Sequence, residues 1–274
     1  MNKPAMILFD LDGTVLNTNK EISPRTRAAL EAAVAQGIEI VPATGRFFKA
    51  MPQVVMDLPF RYAITVNGAA IYDRETQSVL HSETIDNATT LAVFDELDTM
   101  DGIYDCYYDG WGYMEQTQHA KAEEYVANSH IAKMVSTFRT PVADIRTFLG
   151  DKAIEKTQIF LKSAEERAEQ LKALPVKFPD LKITSSVPGN IEINSQNANK
   201  GYAMETLCRL LNLDPTATVA FGDDLNDATM IASAGLGVAM GNGVAEIIAI
   251  ANRTAPTNDE DGVAVVIEEL LASV

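Results

Sequence analysis

Apolar and polar positions follow two different rhythms along the chain. Met6 to Phe9 is a run of four apolar residues, the length of a short buried strand, and it ends on Asp10-Leu11-Asp12 before a Gly13-Thr14 turn. Ser23-Pro24 pairs an N-cap residue with proline at the first helical position. The alanine-rich stretch from there to Gln36, stopped by Gly37, predicts a helix. Ile38 to Val41 repeats the strand pattern and stops at Pro42, after which Ala43 to Arg46 opens an amphipathic segment expected to run to about Leu58. Tyr62 to Val66 is a third apolar run, closed by Asn67-Gly68, and the short apolar pieces around Ile71 and Val79 suggest a hairpin. Three strands separated by two helical segments predict a βαβαβ unit, whose right-handed crossovers make the sheet parallel and buried.

From about Thr84 to Asn190 the rhythm changes. Aromatic residues cluster in YDCYYDGWGY, Tyr104 to Tyr113, and the regular strand–helix alternation is lost. Helices are expected over Asn87 to Met100, His119 to Asn128, Val142 to Leu149 and Ala164 to Leu174. Strands are expected over Ile103 to Tyr108, Lys156 to Leu161, Leu181 to Ser186 and Asn190 to Ile193. The aromatic cluster reads as packing on half-buried strands rather than as a substrate-facing wall. The first rhythm then resumes: a helix from Lys200 to about Leu211, a strand Thr218 to Phe221 running into GDDLND at Gly222 to Asp227, and a strand Leu236 to Met240 before Gly241-Asn242-Gly243. A last helix capped by Asp261 runs through Leu271. The pattern therefore predicts an α/β fold: a doubly wound, Rossmann-like parallel sheet core formed by residues 1–84 and 191–274, with an α+β domain of residues 85–190 inserted into it.

Composition narrows the range of functions. The 274 residues are 47% hydrophobic, enough to bury one large or two ordinary cores. The net charge of −16 and pI near 4.5, with no basic run, argue against general affinity for nucleic acid or an anionic membrane surface. An anionic substrate then needs individually placed cations, for which Arg46, Lys49 and Lys200 are candidates, although solvated surface charge is the commoner fate of such residues. Cys106 and Cys208 form neither a zinc pattern nor a disulfide framework, which suits a reducing compartment. The N-terminal apolar run is interrupted at once by Asp10, so it reads neither as a secretory signal nor as a membrane span, and a cytoplasmic protein is expected. No self-association face is assigned, and the oligomeric state stays open.

Four polar motifs directly follow predicted strands of one sheet: Asp10-Leu11-Asp12, Thr44-Gly45-Arg46, Asn67-Gly68 and Asp223 through Asp227. In open α/β sheets ligands bind beyond the carboxyl ends of the strands, so these motifs are expected to converge there. Carboxylates, a hydroxyl, an amide and a lysine together suit the joint binding of a hard divalent cation and a phosphate.

DLDGT, ATGR, NGA (Asn67 to Ala70), NKG (Asn199 to Gly201), GDDLND and NDEDGVA (Asn258 to Ala264) resemble, in order and spacing, the haloacid dehalogenase-like hydrolases. The resemblance is closest to the Cof-type phosphatases, whose cap domain is inserted after the third strand. It implies that Asp10 is a nucleophile forming an aspartyl-phosphate and that Asp12 is the general acid and base. Mg2+ would be held by the Asp10 carboxylate, the Asp12 main-chain carbonyl and Asp223. Thr44, Gly45, Arg46, Asn67, Lys200 and Asn226 would bind phosphate; Asp227 would orient Lys200 or support the metal from behind, and Asp224 is placed behind the ligands as well. The activity implied is magnesium-dependent hydrolysis of small phosphorylated metabolites, sugar phosphates first. Phosphoryl transfer to a sugar hydroxyl, or a non-catalytic phosphometabolite sensor, are alternatives, though a sensor has no need of both Asp10 and Asp12. A nicotinamide-dependent dehydrogenase is disfavoured, because Met240 stands where GLGVAMG needs its third glycine and no glycine fingerprint follows the first strand.

Overall fold

The computed structural model describes residues 3–126 and 128–272. The chain divides into two compact units, one of residues 1–46, 51–81 and 199–274 and the other of residues 47–50 and 82–198.

In the first unit, β1 (Met6–Phe9) is buried at every position, as its unbroken apolar run requires. Ser23 caps the helix Pro24–Ala35 by accepting a hydrogen bond from the Thr26 N–H, and the chain returns as β2 (Glu39–Pro42), parallel to β1. The expected helix after Arg46 is not one element. A 3-10 turn, Phe48–Ala50, is followed by a single helical turn, Gln53–Met56, because Pro52 has no N–H to donate and disfavours helical geometry in the residue before it. The next strand, β3 (Tyr62–Thr65), meets the parallel sheet, among the described residues, at an isolated Ala43–Ile64 bridge. Its ladder partner is the antiparallel β4 (Ala70–Asp73), and β5 (Ser78–Ser82) completes a three-stranded sheet. The expected third strand of a continuous parallel ladder is corrected accordingly. Val66, Asn67 and Gly68 all take positive φ, which reverses the chain at once into β4.

The second unit is built on a six-stranded sheet. Its strands are β6 (Gly102–Tyr108), β7 (Trp111–Glu115), β8 (Arg139–Val142), β9 (Lys156–Leu161), β10 (Leu181–Thr184) and β11 (Asn190–Ser195), in the order β10-β11-β9-β6-β7-β8. Because β11 pairs with β9 along its length, the change of unit falls between Ala198 and Asn199 rather than at 190, where sequence texture put it. The aromatic cluster is a hairpin turning at Asp109-Gly110, both at positive φ. Tyr104 and Tyr107 are buried, and Tyr104 packs on Phe94. The expected helix from Val142 starts only at Ile145, after β8, where Asp144 caps it; of the helix expected over His119 to Asn128, residue 127 lies outside the described residues, and the rest holds two single turns, Gln116–His119 and Ala122–Tyr125. The helix Ser129–Phe138 was not foreseen.

One face of this sheet is apolar and packs Cys106, Ile159, Leu161, Ile191 and Ile193 with Val93, Phe94 and Leu174. The other carries buried polar groups. Arg139 lies across Gly112, where a Cβ would meet its Cδ at 2.5 Å, and reaches Asp105 at 2.5 Å and the Tyr107 hydroxyl at 2.6 Å. At the hairpin turn Glu155 is buried, with one carboxyl oxygen accepting from the Gly110 N–H at 3.3 Å and the other without a hydrogen-bond partner among the described residues. Burial raises its pKa from 4.5 to about 7.

That shift has a testable sign. Between pH 4.5 and 7 the unfolded chain ionises Glu155 while the folded chain keeps the proton, so stability falls as pH rises through this window. We expect Glu155→Gln to remove that slope and to be the more stable protein above pH 7, by up to about 3 kcal/mol, in urea titrations at pH 5 and pH 8.

The chain returns to the first unit with the helix Lys200–Leu211, capped by the Asn199 side chain, then β12 (Thr218–Gly222), β13 (Leu236–Ala239) and β14 (Arg253–Thr254). The parallel sheet has the order β14-β13-β12-β1-β2, so β1 and β12 are neighbours at its centre. Their carboxyl ends, Asp10 and Asp223, are thereby side by side. The expected cap residue Asp261 directly precedes the last helix, Gly262–Ala272, in a left-handed conformation. No helix among the described residues is long and apolar enough to cross a membrane.

Candidate active site

Asp10 leaves β1 at the sheet edge, and its N–H still bonds to the Phe221 carbonyl, which fixes the backbone from which its carboxylate projects. Carboxylate oxygens of Asp10, Asp223 and Asp227 lie within 4.8 Å of one another. Lys200, with none of its surface exposed, enters from the first turn of its helix and donates to Asp10 Oδ1 at 2.5 Å and to Asp227 Oδ1 at 2.6 Å. Asp227 Oδ2 accepts the N–H groups of Asp223 and Asp224 at 3.0 and 3.2 Å, so both of its oxygens are engaged. Asp227 thereby ties Lys200 to the loop after β12.

One lysine does not balance three carboxylates. Burial pushes the Asp10 carboxyl up to about 7, against the opposing pull of Lys200 and with Asp227 and Asp223 adding to the rise. Burial likewise raises Asp223 to about 6, although a hydrogen bond from Thr14 opposes it. Burial works against the charge on Lys200, but Asp10 and Asp227 outweigh it and raise its pKa. An excess of negative charge on hard oxygen donors in a partly desolvated place is what a small divalent cation neutralises, so Asp10 and Asp223 fit such an ion.

The turn between Asp10 and Thr14 is shaped around Asp223. Gly13 has φ +89° and packs on the Asp223 carboxylate so closely that a Cβ would lie 2.3 Å from Oδ2. Only glycine satisfies both conditions. Thr14 donates to Asp223 Oδ1 at 2.7 Å, an orienting contact that sequence reading missed, although the threonine of DLDGT was the signal for it.

Asp12 stands apart from the buried cluster. Its side chain is 40% exposed and forms ion pairs with Arg46 at 2.9 Å and Lys20 at 3.0 Å. Those charges overcome the desolvation of Asp12 and hold it below the usual carboxylate range. The expectation that Asp12 exchanges a proton near neutral pH is thus not met in this arrangement. Lys20, eight residues further on in a polar turn, carried no motif that would have announced it.

Thr44 is buried, and its Oγ1 accepts from the Arg46 N–H at 3.2 Å. Asn67, at φ 55°, donates its N–H to the Thr44 carbonyl at 2.9 Å, and its side-chain oxygen accepts from Asn226 Nδ2 at 3.1 Å. Gly45 faces this amide: a Cβ there would be 3.0 Å from Asn67 Oδ1. Thr44, Gly45, Arg46, Asn67 and Asn226 therefore belong to one rim. Asp224 does not join it, since its carboxylate turns back to cap Leu225–Asp227 by accepting from the Leu225 N–H at 2.7 Å. Lys49 belongs to the second unit, where it lies over the Trp111 ring at 4.8 Å.

The chain as a whole is similar to known proteins. A family model of the haloacid dehalogenase-like hydrolases matches residues 7–267. Phosphatase YwpJ of Bacillus subtilis (strain 168) is 32% identical over 284 residues, covering 97% of this chain and 99% of its own. The 5-amino-6-(5-phospho-D-ribitylamino)uracil phosphatase YcsE of the same organism is 29% identical over 262 residues, covering 94% of this chain and 92% of its own. A solved haloacid dehalogenase-like hydrolase from Bacteroides thetaiotaomicron, 28% identical, superposes with a TM-score of 0.83 over 98% of this chain and all of its own. The chain belongs to the haloacid dehalogenase-like hydrolases, among their Cof-type members, and is a phosphatase.

Proposed function

We propose that this phosphatase is magnesium-dependent and hydrolyses small phosphorylated metabolites, sugar phosphates foremost, through an aspartyl-phosphate on Asp10. The observation that carries the reading is the Asp10 carboxylate, with Oδ1 held by Lys200 at 2.5 Å and with the Asp223 and Asp227 carboxylates close by. Fixing one oxygen orients the other as a nucleophile. Mg2+ would be held by the Asp10 and Asp223 carboxylates and the Asp12 main-chain carbonyl, and it supplies the positive charge that offsets repulsion between an anionic nucleophile and an anionic phosphate.

In the first half-reaction the free Asp10 oxygen bonds to phosphorus as the ester P–O bond breaks, and Asp12 gives its proton to the departing alkoxide. In the second, Asp12 takes a proton from water, the water oxygen bonds to phosphorus, and phosphate leaves Asp10 free. Asp12 begins ionised, bound by Arg46 and Lys20. Dianionic phosphate competes for the Arg46 guanidinium, and losing that partner lets Asp12 take up the proton it must donate. Thr44, Gly45, Asn67 and Asn226 complete the phosphate rim with hydroxyl, main-chain and amide groups.

A sugar-type substrate is supported by YcsE, whose name places its phosphate ester on a ribityl chain. The test is phosphate release from sugar phosphates, a ribityl phosphate, nucleotides and a phosphopeptide, each with Mg2+ or with chelator. The reading requires chelator-sensitive release that ranks polyol and sugar esters first. Release that is unaffected by chelator, or that favours the phosphopeptide, contradicts it.

A further inference from the structure

The Gly241-Asn242-Gly243 turn and the NDEDGVA motif have no part in the chemistry described so far, yet both close on the loop that carries Asp10 and Asp12. Asn242 donates from Nδ2 to the Gly13 carbonyl at 2.8 Å, and its Oδ1 accepts the Asn258 N–H at 2.9 Å. Asn258 in turn donates from its own Nδ2 to the Leu16 carbonyl at 2.9 Å. One step further on, Asp259 takes both the N–H and the hydroxyl of Thr18, at 2.8 and 2.6 Å. Three successive points of the loop, Gly13, Leu16 and Thr18, are tied to two segments more than 220 residues away in sequence.

The same turn also grips the other carboxylate strand. Two residues after Asn242, the Val244 N–H bonds to the Asp223 carbonyl at 2.9 Å. The turn therefore touches the Asp10–Asp12 loop on one side and Asp223 on the other. Gly13 is the residue pressed against the Asp223 carboxylate, so the Asn242 bond acts at the point where the two ligand-bearing segments meet. A hard cation tolerates little error in donor spacing, and spacing held by neighbouring hydrogen bonds is worth about 10- to 100-fold in metal affinity when those bonds are lost.

We infer that Asn242 and Asn258 are positioning residues that set the separation of the Asp10–Asp12 loop from Asp223 and thereby tune Mg2+ affinity; this rests on the magnesium reading above. Neither side chain touches the reacting atoms. Their contribution is to hold the ligand-bearing loop before the cation arrives.

The experiment is Mg2+ binding by calorimetry to the full chain, paired with the melting temperature of the metal-free protein, for wild type, Asn242→Ala and Asn258→Ala. Asn242→Ala is expected to weaken Mg2+ binding about tenfold. Asn258→Ala keeps the main-chain bond to Asn242 and is expected to weaken binding by less, roughly two- to fourfold. Metal-free melting temperatures should stay within about 2 °C of wild type for the exposed Asn242 and within about 5 °C for the half-buried Asn258. Wild-type affinity in both variants overturns the inference, whatever happens to their melting temperatures. Wild type that binds no Mg2+ overturns the magnesium reading and this inference together, an outcome seen without either variant.

Discussion

Asp10→Asn should lower turnover by roughly four orders of magnitude or more while the protein keeps its fold. The amide occupies the same volume and still offers an oxygen to Lys200, so the contact at 2.5 Å has a neutral successor. What disappears is the nucleophile, because an amide oxygen does not form a stable bond to phosphorus that water then releases. The pKa of Asp10, raised to about 7 by burial, also bears on folding: removing a carboxyl group that is costly to ionise should leave stability unchanged or raised at pH 8. Steady-state kinetics with a sugar phosphate, together with a urea titration of the same preparation, separates a chemical loss from a folding loss. A variant that retains more than a hundredth of wild-type turnover would remove Asp10 from its assigned role.

Lys200→Met has the second large expected effect, and it acts on stability and chemistry together. The side chain is fully buried between Asp10 and Asp227, so removing its charge leaves two buried carboxylates facing each other without compensation. Breaking such a pair from one side costs about 3–5 kcal/mol, whereas replacing a whole buried ion cluster with apolar groups is often neutral. The sign of the pH dependence follows from Asp10: its raised pKa means the fold prefers the neutral acid, and losing Lys200 strengthens that preference. The deficit of Lys200→Met should therefore be greatest above pH 7 and shrink as the solution is acidified. Denaturant titrations at pH 5.5 and pH 8 in the presence of chelator test this, and a deficit that does not depend on pH would contradict it.

The legibility of these residues in sequence varied for physical reasons. Strands such as Met6–Phe9 and Thr218–Gly222 are buried on both faces, so an unbroken apolar run announces them, and the motifs that follow them inherit a position at the sheet edge. That is why Asp10 and Asp223 could be expected at one sheet edge before any coordinates, whereas Lys200, which opens a helix, joined them only through the family resemblance. The second unit was harder. Its sheet buries Asp105, Lys156, Gln158 and Glu192 on one face, so the alternation that normally marks a half-exposed strand conceals a polar interior. Arg139–Val142, RTPV, has almost no strand signal, and it is placed by the Arg139–Asp105 ion pair and by pairing with Trp111–Glu115. The segment after Arg46 looked like a continued helix because its apolar spacing was right, but Pro52 overruled the spacing. The ionised state of Asp12 was also out of reach, since it depends on two cations, one of them Lys20, whose proximity is a product of the fold. Asn258 stood in a recognised motif and Asn242 in a glycine-flanked stretch after a predicted strand, but neither context said that these side chains face the loop carrying Asp10 and Asp12.

The proposed mechanism requires a phosphoryl group carried by Asp10. A rapid acid quench during turnover of a sugar phosphate labelled in its phosphate, followed by proteolysis and mass spectrometry, tests this directly. The predicted result is label on the peptide containing Asp10, formed only with Mg2+ present, absent from Asp10→Asn, and appearing faster than phosphate is released to water. Steady release of phosphate with no label on Asp10 at any time, or with label on another residue, would contradict it.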